Sequence, residues 1–217
     1  MAAPVQLSAI DAGSNAIRLV IARATSPQHI QILESERAAV RLGHNAFTHR
    51  LLDDDTIARA SRAFRHFRDR MDHHHVSAYR AVATSAAREV RNCRKLMERI
   101  RRKSGIELEI ISSQEEARLV CAAVHWALGD RVQPRLIFDL GGGSLELNFF
   151  DRGRLQQRVA LPLGTIRLME TFAIEGAIDE DHARRLRHHV LSLLRSTMPS
   201  RPQIGRASCR ERVCHNV

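Results

Sequence analysis

The sequence predicts an α/β protein built from two related lobes. The main observation is a pattern that occurs twice: an apolar strand ending in an aspartate, a glycine turn, and two further apolar strands. The aspartates are Asp11 and Asp139, 128 positions apart. Between the two copies, runs of helical period alternate with short apolar runs. Because a repeat of this length indicates one structural unit used twice, we expect lobes at 1–130 and 131–203.

The first lobe is expected to open with antiparallel hairpins and to continue with helices and strands in alternation. Acidic residues after position 52 suit a helix N-terminus, and Ser112 begins a capping-box pattern. The helix that starts after position 52 is expected to have an apolar face, formed by residues such as Ile57, Phe64 and Phe67. Gly105 is expected to end a later helix. The expected strands cover 7–11, 17–22, 30–40, 79–83 and 106–111, and the expected helices run from 53 to about 71, from 85 to 103 and from 113 to 128.

The second lobe is expected to stop early. Its predicted strands cover 136–139, 145–150 and 155–161, followed by one helix at 179–196. The last stretch, 204–217, has no helical or strand period, and its 204–213 part reads like a translated sequencing adapter. We therefore expect a non-native tail on a truncated protein that naturally continues beyond Gln203.

Composition narrows the class of protein. The 217 residues are 44% hydrophobic and 27% charged, as in a globular protein, and no apolar run approaches the roughly 20 residues that span a bilayer. Lys and Arg outnumber Asp and Glu by 34 to 24, which fits either a polyanionic partner or a solvated arginine-rich surface. Four cysteines without zinc spacing predict a reducing, cytoplasmic setting. Nucleic acid is not favoured, because aromatics are only 4% and no binding motif is present.

The two glycine turns are candidate phosphate-binding loops. Glycine lets backbone N–H groups approach phosphate oxygens closely, and a nearby aspartate can hold Mg²⁺ directly or through water. Either turn alone can be an ordinary hairpin, but the pair favours two loops that face each other across a cleft. The candidates for phosphate are Gly13, Ser14, Asn15, Gly141, Gly142, Gly143 and Ser144, and those for metal are Asp11, Asp139 and Glu146.

Three further positions have a chemical and a structural interpretation. Glu146 shares a strand face with Ser144 and can bind metal or orient water, or can be an exposed strand residue. Glu116 lies in the first turn of a helix, where it can act as a base toward water or simply stabilise the helix N-terminus. Arg88 can bind a phosphate or lie on the surface. His73–His75 is expected to be a solvated helix end, since three successive residues do not converge on a metal.

Four ordered motifs carry a family resemblance. Asp11-Ala-Gly-Ser-Asn15, Thr84-Ser-Ala-Ala-Arg88, Ile111-Ser-Ser-Gln-Glu-Glu-Ala-Arg118 and Phe138-Asp-Leu-Gly-Gly-Gly-Ser-Leu-Glu146 together resemble the exopolyphosphatase / guanosine-pentaphosphate phosphohydrolase family of the actin-like superfamily. The resemblance covers about 6–200. It implies two ribonuclease H-like lobes with mixed sheets, the second incomplete. It also implies release of terminal phosphate from polyphosphate or pppGpp with Mg²⁺, and homodimers are common in the family.

The resemblance also implies roles. Glu116 matches the proposed catalytic base, and Asp139 and Glu146 match acidic residues that handle Mg²⁺ and water. The two glycine turns match the phosphate loops, and Arg88 matches an arginine that faces the cleft. Ala12, Ala16 and Ala87 depart from the usual motifs, and a later glycine-rich phosphate-facing segment is missing. An actin-like ATPase or sugar kinase, and a non-catalytic polyanion-binding protein, remain alternatives.

Overall fold

The computed structural model describes residues 3–129 and 132–198. The predicted tail at 204–217 lies outside these ranges. The elements follow in the order β1 (Val5–Ala12), β2 (Ile17–Ser26), β3 (His29–Ala38), α1 (Ala46–His49), α2 (Asp54–His73), β4 (Ala78–Ala83), α3 (Ser85–Glu89), α4 (Cys93–Ser104), β5 (Glu109–Ile110), α5 (Ser113–Leu128), β6 (Leu136–Leu140), β7 (Leu145–Asp151), β8 (Arg154–Leu161), α6 (Thr165–Thr171) and α7 (Glu180–Thr197).

The strands form two sheets. The first has the order β3-β2-β1-β4-β5, with antiparallel pairing among β1, β2 and β3 and parallel pairing of β4 with β1 and β5. The second is the antiparallel meander β6-β7-β8. The three-stranded meander therefore occurs twice, as the sequence repeat predicts. The predicted boundary near residue 130 stays a prediction.

The main core lies between the first sheet and the helices α2 and α4. Alternate residues of β1 and β2, such as Ile10 and Leu19, point toward Phe64 and Phe67 of α2, and all four are fully buried. Each such side chain contributes roughly 1.5–3 kcal/mol by leaving water. The predicted apolar face of α2 is therefore confirmed.

The second sheet has one apolar face and one polar face. On the apolar face a small cluster including Leu147 and Phe149 packs against α7. The opposite face carries Glu146 and Asn148, two residues apart on β7, and both are buried. This polar face lies on the side of α5, where the His125 ring meets the Phe150 ring edge-on at 5.6 Å. A buried carboxylate and amide on a sheet face require a structural or chemical reason.

Two predicted elements are wrong. The single helix at 85–103 is two helices, because Val90 is extended and the Asn92 side chain bonds both the N–H and the carbonyl of Leu52. The strand at 106–111 pairs only at Glu109–Ile110, since the backbone N–H of Glu107 donates to the Tyr79 hydroxyl. The short helices α1 and α6 were not predicted. Within the described ranges, no helix is long and apolar enough to cross a bilayer.

Candidate functional site

The first loop follows β1 and is held by hydrogen bonds from three directions. Its tight turn closes between the Gly13 N–H and the Ala16 carbonyl at 3.1 Å. The carbonyl of Ser14 accepts from the Gly43 N–H at 2.7 Å, and that of Asn15 accepts from a neighbouring backbone N–H at 3.0 Å. The buried Ser14 hydroxyl lies 2.9 Å from the Ser85 hydroxyl. The loop is therefore fixed within the first lobe, next to the helix that carries Arg88.

The second loop, Gly141–Ser144, uses all three of its glycine carbonyls to bind α6. The carbonyls of Gly141 and Gly142 accept from the first turn of α6 at 3.0 Å each. The carbonyl of Gly143 accepts from Arg167 Nε at 2.7 Å. Within the described part of the chain, no protein acceptor bonds the N–H groups of Gly142 and Gly143. Unpaired N–H groups on adjacent residues suit an anion.

The glycines of this loop are also required by packing. A Cβ on Gly142 would lie 2.8 Å from the Ser14 Cβ, and one on Gly143 would lie 2.7 Å from the Phe47 ring. Such distances are closer than real Cβ atoms tolerate. The two loops therefore touch at Ser14 and Gly142, instead of facing each other across an open cleft at that point, as the sequence led us to expect.

Two carboxylates stand directly opposite each other on the second sheet. Asp139 of β6 is the cross-strand partner of Glu146 of β7. Glu146 is only 3% exposed, which excludes the interpretation of an exposed strand residue. Arg158 lies 3.9 Å away, and among residues 3–129 and 132–198 no group forms a hydrogen bond with the buried Oε1 atom of Glu146. Like charges placed opposite each other destabilise a sheet unless something neutralises them.

The carboxylates of both lobes are close enough to affect one another. Burial raises the pKa of Asp139 and of Glu146, and the negative charge of Glu116 raises both further. Lost hydration of the carboxylate is the main cause that raises the pKa of Asp11, although the residue as a whole stays exposed. The negative charges of Glu116 and Asp139 raise this pKa further. Arg18, opposite Asp11 on β2, lowers the pKa of Asp11. The fold thus brings four predicted acidic residues into one electrostatic group.

Glu116 is held in place by Arg88. The helix α5 begins at the N-cap Ser112, whose hydroxyl accepts from the Glu115 N–H at 3.1 Å. One turn in, Glu116 Oε2 accepts from Arg88 Nη1 at 2.8 Å, and the same nitrogen donates to the Ile111 carbonyl at 3.0 Å. The sequence predicts that Arg88 faces phosphate, and the structure places it on Glu116. Its contact with phosphate stays a prediction.

The neighbouring glutamate, Glu115, has a different environment. Its carboxylate binds Arg80 at 3.0 Å and Arg118 at 2.7 Å. Hydrogen bonds from Arg118 and then Arg80 lower the pKa of Glu115 to about 2. The two adjacent glutamates, of which the family resemblance singles out Glu116, therefore have different surroundings: Glu115 lies in a surface ion-pair network, and Glu116 lies in the carboxylate group.

The carboxylates fit Mg²⁺ only in part. No three Asp, Glu, His or Cys side chains of the described residues are placed to bind one metal ion together. Direct ligation by Asp11, Asp139 and Glu146 at once is therefore not the arrangement in this structure. The unpartnered Oε1 of Glu146 and the facing Asp139 do suit a cation. Mg²⁺ commonly uses one or two carboxylates, keeps several waters and binds substrate phosphates.

Sequence reasoning missed one residue at this site. Arg167 of α6 is only 17% exposed and joins the second loop to the first lobe. It forms an ion pair with Glu89, and its guanidinium carbon lies 4.0 Å from the centroid of the Phe47 ring. No local signal marks Arg167, because its partners are 24 and 78 positions away along the chain.

The fold and the site define an α/β protein with mixed sheets, in which two glycine loops lie beside a group of carboxylates. The sequence profile of the Ppx/GppA phosphatase family matches residues 20–210. The chain belongs to the Ppx/GppA phosphatase family.

Individual proteins are similar to this chain over most of its length. An uncharacterised protein of Streptomyces coelicolor is 29% identical over 194 residues, which are 88% of this chain and 57% of that protein. The crystal structure of an exopolyphosphatase from Cytophaga hutchinsonii has a TM-score of 0.79 and 27% identity over 87% of this chain and 60% of that one. The Aquifex aeolicus PPX-GPPA enzyme has a TM-score of 0.70 and 27% identity, over 89% and 64%. The chain thus spans 57–64% of the length of these relatives.

Proposed function

We propose that this protein releases orthophosphate from the end of inorganic polyphosphate or from pppGpp. The observation that carries the proposal is the facing pair Asp139 and Glu146 beside the second loop, with Glu116 held nearby by Arg88 and close enough for its charge to raise the pKa of both. In this proposal the terminal phosphate binds the free N–H groups of the second loop and the polar groups of the first loop. Family membership supports this class of substrate.

Glu116 is the proposed base. Its Oε2 atom is held by Arg88, and its Oε1 atom accepts no hydrogen bond within the described residues. It takes a proton from water as the water oxygen attacks the terminal phosphorus. The bond from phosphorus to the bridging oxygen breaks, and the shortened chain leaves with its electron pair. A bound Mg²⁺ supplies charge neutralisation on the phosphate oxygens, and Asp139 and Glu146, with Asp11 through water, are the residues that would hold it.

Phosphate release from polyphosphate and from pppGpp, with and without Mg²⁺, tests the proposal. The decisive pair of variants is Glu116→Gln and its neighbour Glu115→Gln, because both lie in the first turn of α5 and only Glu116 belongs to the carboxylate group. Loss of a general base lowers the rate by roughly 10²–10⁴-fold. We expect this loss in Glu116→Gln alone, and the faster substrate then identifies the preferred one.

Two outcomes separate the alternatives. If a folded wild-type protein binds polyphosphate in a salt-dependent manner without releasing phosphate, it is a polyanion-binding protein. If it turns over only ATP, it is an ATPase or kinase-like relative. Equal activity of Glu116→Gln and wild type would remove Glu116 from the mechanism.

The lobe boundary near residue 130 and the homodimer also remain proposals, and sedimentation analysis tests the dimer.

A further inference from the structure

Arg167 lies where the second loop, the first lobe and α6 meet. Arg167 is the third residue of α6, and its side chain is 17% exposed. Three groups hold its guanidinium: the Gly143 carbonyl at 2.7 Å, the Glu89 carboxylate, and the Phe47 ring, whose centroid is 4.0 Å away. Glu89 and Phe47 belong to the first lobe, so one side chain spans both parts of the site.

The backbone of α6 completes this arrangement. Its N–H groups at Thr165 and Arg167 bind the carbonyls of Gly141 and Gly142. In a planar trans peptide the carbonyl and the next N–H point in opposite directions. Three carbonyls turned toward α6 therefore turn the N–H groups of Gly142, Gly143 and Ser144 away from it. The direction of the predicted phosphate-binding donors is set by α6, and Arg167 supplies the third of the three bonds.

A separate contact docks α6 on the first lobe. Glu170 Oε1 accepts from the Asn45 N–H at 2.5 Å, and Glu170 Oε2 lies 3.5 Å from the Thr48 hydroxyl. This contact does not touch the glycine loop. Two side chains of α6, Arg167 and Glu170, therefore dock this helix on the first lobe. Of these two side chains, Arg167 also binds the glycine loop, and Glu170 does not.

We propose that Arg167 is a positioning residue that holds the second loop's N–H groups in the direction required for phosphate. The planar guanidinium binds the Gly143 carbonyl through Nε and Glu89 through Nη2, so it holds the loop and the first lobe in one relative orientation. A lysine ammonium carries no such fork and cannot reproduce both bonds with one geometry. The phosphate-binding role of the loop rests on the proposed function. The orientation of the loop by Arg167 does not, because it follows from the hydrogen bonds themselves.

Amide hydrogen exchange and steady-state kinetics of Arg167→Met, Arg167→Lys and Glu170→Gln test the inference. Methionine keeps the apolar length over Phe47 and removes the donors. The Gly141 N–H, which closes the loop on the Ser144 carbonyl at 2.9 Å, is the protected loop amide in peptides covering 140–146. We expect exchange in these peptides to be more than tenfold faster in Arg167→Met, and kcat/KM for phosphate release to fall about 100-fold, as for a group misplaced by about 1 Å. Arg167→Lys is expected to recover little of either quantity.

The matched control is Glu170→Gln, which weakens the other anchor of α6. We expect its exchange at 140–146 to stay within twofold of wild type. Exchange in Arg167→Met within twofold of wild type would overturn the inference, and so would equal acceleration in Glu170→Gln, because α6 docking in general would then be the cause. If the wild type releases no phosphate, the proposed function fails, and the exchange comparison alone decides the role of Arg167.

Discussion

Arg88 binds Glu116 through a 2.8 Å hydrogen bond from Nη1 to Oε2, and the same nitrogen binds the Ile111 carbonyl just before α5. The two residues are 28 positions apart, on α3 and α5. The pair fixes the direction of one carboxylate oxygen, and no donor among the described residues binds the other. This arrangement suits a base whose position matters more than its contribution to stability.

Arg88→Met is expected to lower kcat for phosphate release by about 100-fold, because Glu116 loses the group that orients it. Steady-state kinetics on polyphosphate measures the change. Residues that act as a unit are not additive, so Arg88→Met in the Glu116→Gln background should cost little more than Glu116→Gln alone. Fully additive losses would show that Arg88 acts elsewhere, for example on the phosphate itself.

Glu146→Gln is expected to stabilise the protein by about 1 kcal/mol at pH 7, because it removes a buried charge that faces Asp139. The folded-state pKa of Glu146 is raised above its ordinary value of 4.5, first by burial. Its contribution to stability is therefore fully present below pH 4.5 and is lost as the pH rises through the folded-state pKa. Thermal unfolding from pH 4 to 8 should show a flatter profile in the variant.

The control for this experiment is Asp151→Asn, at the exposed far end of the same strand, which should leave the profile unchanged. Mg²⁺ should raise the melting temperature of the wild type more than that of Glu146→Gln. A variant less stable than wild type at pH 7 would contradict the destabilising effect of the buried charge. Equal stabilisation of both proteins by Mg²⁺ would contradict a cation-binding role for Glu146.

Gly143→Ala is expected to lower the free energy of unfolding by about 1–3 kcal/mol through overpacking. The new Cβ would lie 2.7 Å from the Phe47 ring and 2.8 Å from the Ser85 Cβ. Gly141→Ala is the matched control, since its nearest neighbour, the Ser144 carbonyl oxygen, is at an ordinary 3.6 Å. Urea unfolding measures both, and equal stabilities would show that packing does not require the glycine at 143.

Glu34→Gln is expected to destabilise the protein by about 1 kcal/mol at pH 7. Two hydrogen bonds from Arg70, at 2.6 and 2.7 Å, lower the pKa of Glu34 to about 2 and hold α2 on β3. The contribution of a lowered pKa is present above the ordinary 4.5 and is lost as the pH falls through about 2. The difference between wild type and variant should therefore shrink between pH 5 and pH 2.

An exposed pair provides the comparison for Glu34. Glu98 binds Arg94 on the surface of α4, where the side chains are 65% and 91% exposed. Glu98→Gln should change the free energy of unfolding by less than about 0.5 kcal/mol. A change as large as that in Glu34→Gln would show that the Arg70 pair acts only as an ordinary surface charge.

The sequence by itself determined the features that depend on local pattern. Alternation along the strands predicted both meanders, helical spacing predicted the buried face of α2, and Ser112 predicted the start of α5. These features were predictable because each is set by residues within a few positions of one another. The four motifs likewise predicted the family, since their order along the chain is itself sequence information.

Tertiary structure alone decided how these parts meet. The facing of Asp139 and Glu146 depends on strand register, the orientation of Glu116 depends on Arg88, and the break at Asn92 depends on Leu52. Arg167 had no local signal, because its partners Gly143 and Glu89 come from distant parts of the chain. Contacts between residues far apart in sequence form only when the lobes pack, so no periodicity within a single segment can reveal them.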